Sequence, residues 1–599
     1  MNNNDRKIEA KRFREDAANL AFEREHPDHV ANGDEQKFAS AKYMMSFTKG
    51  LDHDPATGLI KDRRHFEAFR QAIDNGVVEP FTTRVPVPTA QDRRMWEAPT
   101  AGVVFDLEGP DAQAVTMPPA PPLCSDELTF EMAEVYELAL LRDVPLTQFD
   151  GKGPSPKLTD SITRLNAMEY AQDGFQGRPR KTGANGKLTP QTVFRGSSPG
   201  SDVGPYVSQF LLMGNADRTG TLSVEDGKVL YGAQVIDQRV PMAPELDDYM
   251  VDFTDYIEVQ QGYGPAAAPP GGQNLAGQPY RFIHTPRDLA TYVHFDALYQ
   301  AYLNACLILL SGRGPGMATP FDPAFNNLSG PGSFEVLTNA ATGDTKQTNA
   351  GGFALYGGPH ILTLVTEVAT RALKAVRFQK FNTHIRLRPE ALAARLDKAK
   401  EIEKAHPEVC GCLSDTFKGL KDTAEAINKH NQSIPAPRKS ADTYLLPMAF
   451  AEGSPMHPAY GAGHATVAGA CVTILKAFFD TSAMLAEVNG QVGWFTAEQL
   501  GPKPKFIQFE TTDDGKKLAK KKAKCPLTLE GELNKLAANI SIGRNMAGVH
   551  YFTDYFDSAR MGEEIAIGLL EEQAIGYPTD PFVMSVPTFD GGVERIGAR

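Results

Sequence analysis

Apolar positions along this chain recur mostly at helical spacing, and they predict helices joined by long Gly- and Pro-rich connections. Ile361, Leu364, Val365, Val368 and Ala372 form one stripe behind a Gly358-Pro359 start, where proline suits the first helical position. Leu289, Val293, Ala297 and Ala301 form another behind the capped start Thr285-Pro286, and that helix is expected to continue to Gly312. Asp126 to Arg142 reads as helix, with Ser125 as N-cap and an acidic first turn. Residues 465–479 are an apolar helix-like run entered through a glycine-rich turn. Residues 5–25 are rich in helix formers, end at His26-Pro27, and suit an arm laid on another subunit. A turn at Asn32-Gly33 and a short second helix are expected next, and 390–431 is charged and helical up to Ile434-Pro-Ala-Pro437.

The remainder reads differently. Proline is dense from about 78 to 125, which predicts extended covering structure. Residues 174–205, 259–280 and 312–358 are expected as loops, and between the first two only Leu222-Ser-Val and Val229-Leu-Tyr look strand-like. The fold class is therefore mainly α, with few short strands.

Composition narrows the function. At 41% apolar and 23% charged residues the chain is ordinary for a globular protein. A net charge of -13 argues against nucleic acid or an anionic membrane as partner, and makes any cationic pocket a local exception that a ligand must explain. The lysines at 516, 517, 520, 521, 522 and 524 lack interleaved aromatics and read as a solvated insert. Six cysteines, with Cys410 and Cys412 as the one close pair, are too few and irregular for a disulfide framework or zinc site and are expected reduced. The charged N-terminus lacks an apolar h-region and the longest apolar runs are far short of a membrane span, so a soluble protein, cytoplasmic by default, is expected.

Three short segments carry the chemistry. In the first, Lys380 precedes Arg388-Pro389, at a helix end that Pro389 is expected to terminate. Arg371, Lys374 and Arg377 just before it read as a basic helix C-terminus favoured by the macrodipole. The second is His457-Pro-Ala-Tyr-Gly-Ala462-Gly463-His464, whose glycines permit close backbone approach and whose following helix aims free N–H groups at the turn, as an anion requires. His464 stands at its mouth, placed to exchange a proton near neutral pH. In the third, Arg544 is followed by His550 and Asp554, which would share a helix face so that the carboxylate holds one ring nitrogen; Gly548 is the expected chain break between Arg544 and His550. One lysine, two arginines, a helix N-terminus and histidines make a constellation for a multiply charged tetrahedral oxyanion.

The order Lys, seven residues, Arg-Pro, then Gly-His, then Arg, five residues, His, three residues, Asp resembles the vanadium-dependent haloperoxidases and the acid phosphatases that share their site. His457 and the text around Ser454-Pro-Met-His-Pro458 resemble the bromoperoxidases of red algae and their bacterial relatives. The resemblance implies paired helical bundles, with residues 201–599 as the catalytic region and 1–200 as a helical, Pro-rich covering and oligomerisation region. It implies a homo-oligomer, a dodecamer in the red-algal members. It implies vanadate anchored by His550, oriented through Asp554, with Lys380, Arg388, Arg544 and the Ala462-Gly463-His464 turn offsetting its charge. His464 would be acid and base, Lys380 would polarise the peroxide, and His457 would tune protons near the halide. Substrates would be hydrogen peroxide, bromide or iodide, and small organic acceptors. Calcium near Asp344 and Gln347 is a further expectation, and acid phosphatase chemistry with His550 as nucleophile is the alternative. One departure stands out: many relatives carry serine where this chain has Ala462.

Overall fold

The computed structural model describes residues 3–597 except 90–91, 152, 216–222, 266–267, 312–318, 323–324, 326–335, 339–344, 348–352, 436–440 and 578–582. Helices build the body: α1 (Asn3–Glu23), α2 (Arg63–Asp74), α3 (Asp126–Leu140), α4 (Pro286–Phe295), α5 (Gln300–Leu309), α6 (Gly358–Phe378), α7 (Pro389–Asp397), α8 (Gly463–Phe478), α9 (Leu529–Met546) and α10 (Phe552–Ile575). Shorter helical turns join them. Helix α8 lies against α6, α9 and α10, and every residue on it but His464 is buried, which its lack of a polar face requires. Small residues let α8 and α10 touch backbone to backbone: a Cβ on Gly469 would come 2.0 Å from the Ala559 carbonyl oxygen, and one on Gly562 2.0 Å from that of Thr466. The main buried cluster runs from Phe38 to Ile596.

A second cluster explains the cover. Phe47, Phe66, Phe69 and Phe81, from α2 and its neighbours, pack on Phe381 and Ile385 of the Lys380-to-Arg388 segment. Helix α1, by contrast, has no buried residue, and Arg24 beyond its end donates to the Gly568 carbonyl of α10 at 2.9 Å. The Pro-rich stretch holds one short helix, Glu79–Thr83, and a turn at Ala101–Val103.

Several boundaries differ from the sequence reading. The helix begun at Pro286 does not run to Gly312: it stops at Phe295, Asp296 turns extended (φ -64, ψ 143), and α5 begins at Gln300. The apolar stripe continues in phase across that break, so periodicity could not register it. Helix α6 passes into a π-turn, Gln379–His384, closed by Ile385 in the left-handed region (φ 44); Pro389 starts α7 instead of ending the previous helix. Strand is more frequent than expected, as two-stranded antiparallel hairpins. β1 (Lys228–Tyr231) pairs with β2 (Gln234–Asp237), while Val224 opens a helical turn and Leu222 lies outside the described residues. β3 (Met484–Val488) and β4 (Gln491–Phe495) close on Asn489-Gly490, both with positive φ. The lysine-rich insert is also folded: β5 (Ile507–Thr512) pairs with β6 (Lys517–Lys522), and Lys520 binds Glu225 and Glu487. A final hairpin joins Val583–Pro587 and Val593–Gly597. No helix among the described residues is long and apolar enough to cross a membrane, and all six cysteines are free.

Candidate active site

A cavity of about 260 Å³ opens at the N-terminal end of α8. His457, Gly463, His464, Arg544 and His550 line it, together with Arg94, Glu97, Asp296, Arg377 and Glu452, and with the apolar Val293, Leu298, Leu373 and Phe450. Five of the nine residues singled out by sequence thus share one wall. The other four stand directly behind it. Arg388, at the N-cap of α7, donates Nε to the His457 carbonyl (2.9 Å), Nη2 to His457 Nδ1 (2.8 Å), and Nη1 to His550 Nε2 (2.9 Å). Lys380, in the π-turn, donates Nζ to the carbonyls of Pro458 (2.7 Å) and Ala459 (3.2 Å), which fixes the loop leading into α8. Ala462 is the N-cap of α8 and gives its own N–H to Ser558 Oγ at 2.8 Å. Asp554 completes the set.

His550 and Asp554 do meet, though not across a helix face. Gly548 (φ 88) breaks the chain as expected, α10 starts only at Phe552, and Asp554 sits in its first turn. Its Oδ2 accepts from both the Tyr551 N–H (3.0 Å) and His550 Nδ1 (2.7 Å). Arg386 Nη1 holds Oδ1 at 2.9 Å and its other end pairs with Glu131. With Nδ1–H committed to a carboxylate, His550 Nε2 carries the lone pair, which here accepts from Arg388 Nη1 and is the form a metal ligand needs.

The electrostatics favour an anion. Lys380, Arg388 and Arg544 are buried and Arg377 is mostly covered, and each has its pKa lowered: desolvation is the largest cause for all four, followed by Arg388 and Arg377 for Lys380, and by Arg544 for Arg388, which falls to about 9. Cations so arranged around one cavity focus a positive field into it. Arg544 spends Nη1 on the Val293 carbonyl (2.7 Å), but its buried Nε has no partner, and neither has Nη1 of Arg377. His464 donates Nε2–H to Asp296 at 2.9 Å, which leaves Nδ1 as the basic nitrogen, and burial lowers its pKa despite that carboxylate. His457 is likewise pushed well below its ordinary value, by burial and then by Arg377, Lys380 and Arg388.

Four contributors escaped the sequence. Arg377 is not merely a macrodipole-favoured base: Arg371 and Lys374 pair with Asp106 and Glu367 away from the cavity, whereas Arg377 lines it. Its position one helical turn before Lys380 was the available signal. Asp296, Arg386 and Glu97 lie far along the chain from the residues they serve and carry no motif. Asp344 lies outside the described residues, as does the side chain of Gln347, and among the described residues no group of three or more His, Cys, Asp or Glu could hold a metal ion.

Comparison with known proteins places these observations in a family. Residues 434–573 match the model of the VCPO second helical-bundle domain. The chain is 40% identical to the vanadium-dependent bromoperoxidases of Corallina officinalis and Corallina pilulifera, over 97% of its own length and 96% of theirs. The homohexameric second vanadate-dependent bromoperoxidase of Ascophyllum nodosum superposes with a TM-score of 0.75 at 25% identity, covering 100% of this chain and 91% of that one.

Proposed function

The chain belongs to the vanadium-dependent bromoperoxidases, and we propose that the cavity at the head of α8 is where it oxidises bromide or iodide with hydrogen peroxide to a hypohalous acid that halogenates organic acceptors. The observation that carries the site is the gathering of four cations, three of them buried, around one histidine whose Nδ1–H is committed to a carboxylate. These residues fit vanadate. His550 Nε2 would anchor it, Arg388, Arg544 and the Gly463 N–H would offset its oxygens, and the orphaned Arg544 Nε offers an uncommitted donor. When bound, vanadate supplies Lewis-acid activation of the peroxide without changing its own oxidation state.

The protein's part is proton handling and exclusion of water. Neutral His464, held by Asp296, takes a proton from hydrogen peroxide and returns one as water leaves. Bromide gives two electrons to the O–O bond, so bromide, peroxide and one proton become hypobromous acid and water. Lys380 holds the loop carbonyls and adds positive potential behind the reacting oxygens. Asp554 keeps His550 in the tautomer that binds.

Finer features join this reading. The chain forms a homo-oligomer, for which Phe105 and Leu107, fully or largely exposed on the cover, supply apolar contact surface; twelve copies would show as that mass in analytical ultracentrifugation. In a division at about residue 200 the covering region takes part in the site, since Arg94 and Glu97 reach the cavity from it. Structural calcium, resting on Asp344, would show as thermal stability lost with a chelator and restored by calcium. The deciding experiment is bromination after vanadium is stripped, with vanadate or phosphate added back, in wild type and His550→Ala. Activity should return with vanadate in the wild type alone. Full bromination without vanadium would overturn the reading, as would phosphate-ester turnover with no bromination.

A further inference from the structure

One carboxylate from the cover sits among the cations at the cavity mouth. Glu97 Oε2 lies 3.4 Å from His457 Nε2 and 3.8 Å from Arg377 Nη2, and Oε1 lies 3.8 Å from Arg94 Nη2. The residue is fastened in place: Oε1 accepts the Met456 N–H at 3.3 Å, and its own N–H binds the Met456 carbonyl at 3.1 Å. Beside it Trp96 donates Nε1 to the Lys49 carbonyl at 2.9 Å. The side chain remains 44% exposed, so it stands at the entrance and not in the floor.

The contacts of its neighbours give this position meaning. His457 Nδ1 accepts from Arg388 Nη2 at 2.8 Å, so Nε2 bears the hydrogen and faces Glu97 Oε2 at ion-pair distance, 3.4 Å. Arg388 in turn touches His550 at 2.9 Å. A continuous line of polar contacts thus runs Glu97, His457, Arg388, His550, hydrogen-bonded from His457 onward. Arg94 is tied on its other side to the Glu452 and Ser454 carbonyls, at 3.1 and 3.3 Å, and Arg377 has an orphaned buried Nη1. Both guanidiniums therefore offer charge to whatever anion enters, and Glu97 already takes part of that charge.

We propose that Glu97 is a positioning and specificity-setting residue for the halide: its carboxylate competes with the entering halide for Arg94 and Arg377, and holds His457 on Arg388. The proposal rests on the bromoperoxidase reading and adds to it a carboxylate that sets halide affinity.

Glu97→Gln tests it, because the amide keeps an oxygen for His457 and removes the charge. In vanadate-loaded enzyme the bromide KM should fall by about threefold, a size suited to one partly solvated charge, with kcat within about twofold of wild type. Glu97→Asp keeps the charge and should hold KM near the wild-type value. Glu97→Ala frees His457 as well and should lower kcat. A second readout needs no turnover: bromide quadrupolar NMR linewidths on metal-free protein should show tighter halide binding in Glu97→Gln than in wild type. An unchanged or raised KM in Glu97→Gln, with wild-type linewidths, overturns the proposal, as does an equal rise of KM in all three variants. If wild type loaded with vanadate does not brominate, the assigned reaction fails, and the linewidths alone decide the role of Glu97.

Discussion

Ala462 stands where the family resemblance leads one to expect serine, at the start of α8. As N-cap of α8 it provides no side-chain cap, it is buried, and its N–H is bound to Ser558. Serine at an N-cap accepts from a first-turn N–H and stabilises by about 0.5–2 kcal/mol. The same hydroxyl could donate toward the cavity wall formed by Gly463. Ala462→Ser should therefore raise the urea midpoint and tighten vanadate binding, while bromination persists in both forms because the four cations and His550 are unchanged. Weaker vanadate binding in the serine variant, measured in one buffer, would mean that the turn does not face the oxyanion.

At the scale of elements the site depends on where helices end. α6 ends in a π-turn that carries Lys380, α7 begins on Arg388, α8 begins beside His464, and α4 stops to release Asp296. Their mutual placement is held by the backbone contact of α8 with α10 at Gly469 and Gly562. A methyl group at Gly469 would meet the Ala559 carbonyl at 2.0 Å, with no flexible atom to yield, so the helices must separate. Overpacking of this kind costs about 1–3 kcal/mol or more. Gly469→Ala should unfold at lower urea and bind vanadate more weakly, since α8 carries Gly463 and α10 carries Asp554. Wild-type stability in that variant would show that the two helices are not in contact.

For the whole molecule, acid sensitivity follows from buried histidines outside the site. His53 lies between the Leu51 carbonyl (2.8 Å) and the Thr48 hydroxyl (3.1 Å), and burial pushes its pKa from 6.5 down to about 3. His384, beside Arg386, is also pushed down to about 3, chiefly by burial. Between those values the unfolded chain binds protons that the folded one refuses, so stability falls as pH drops from 6.5 toward 3. Asp248, held between Arg142 and Arg287, acts in the same sense at lower pH, because its folded pKa is depressed. Glu134 and Asp557, raised by burial, oppose the trend. Replacing His53 by Gln should flatten the dependence of the urea midpoint on pH between about 6.5 and 4; an unchanged slope would refute the assignment.

Local grammar was enough for much of this. Helix starts at Pro286, Pro359 and Asp126, the break at Gly548, and the residues that gather at the cavity are written in short-range pattern, because capping, proline geometry and motif spacing act within a few residues. The Asn489-Gly490 hairpin is written just as locally, in a dipeptide that favours positive φ. Other features had no local sign. Asp296 breaks a stripe that stays in phase, and its reason is His464, 168 residues away. Glu97 sits in a Pro-rich stretch that reads as cover, yet it meets His457 and Arg377. Partners of this kind are chosen by burial: a charge enclosed at a helix end must find its counter-charge wherever the chain returns, and only the assembled helices decide where that is.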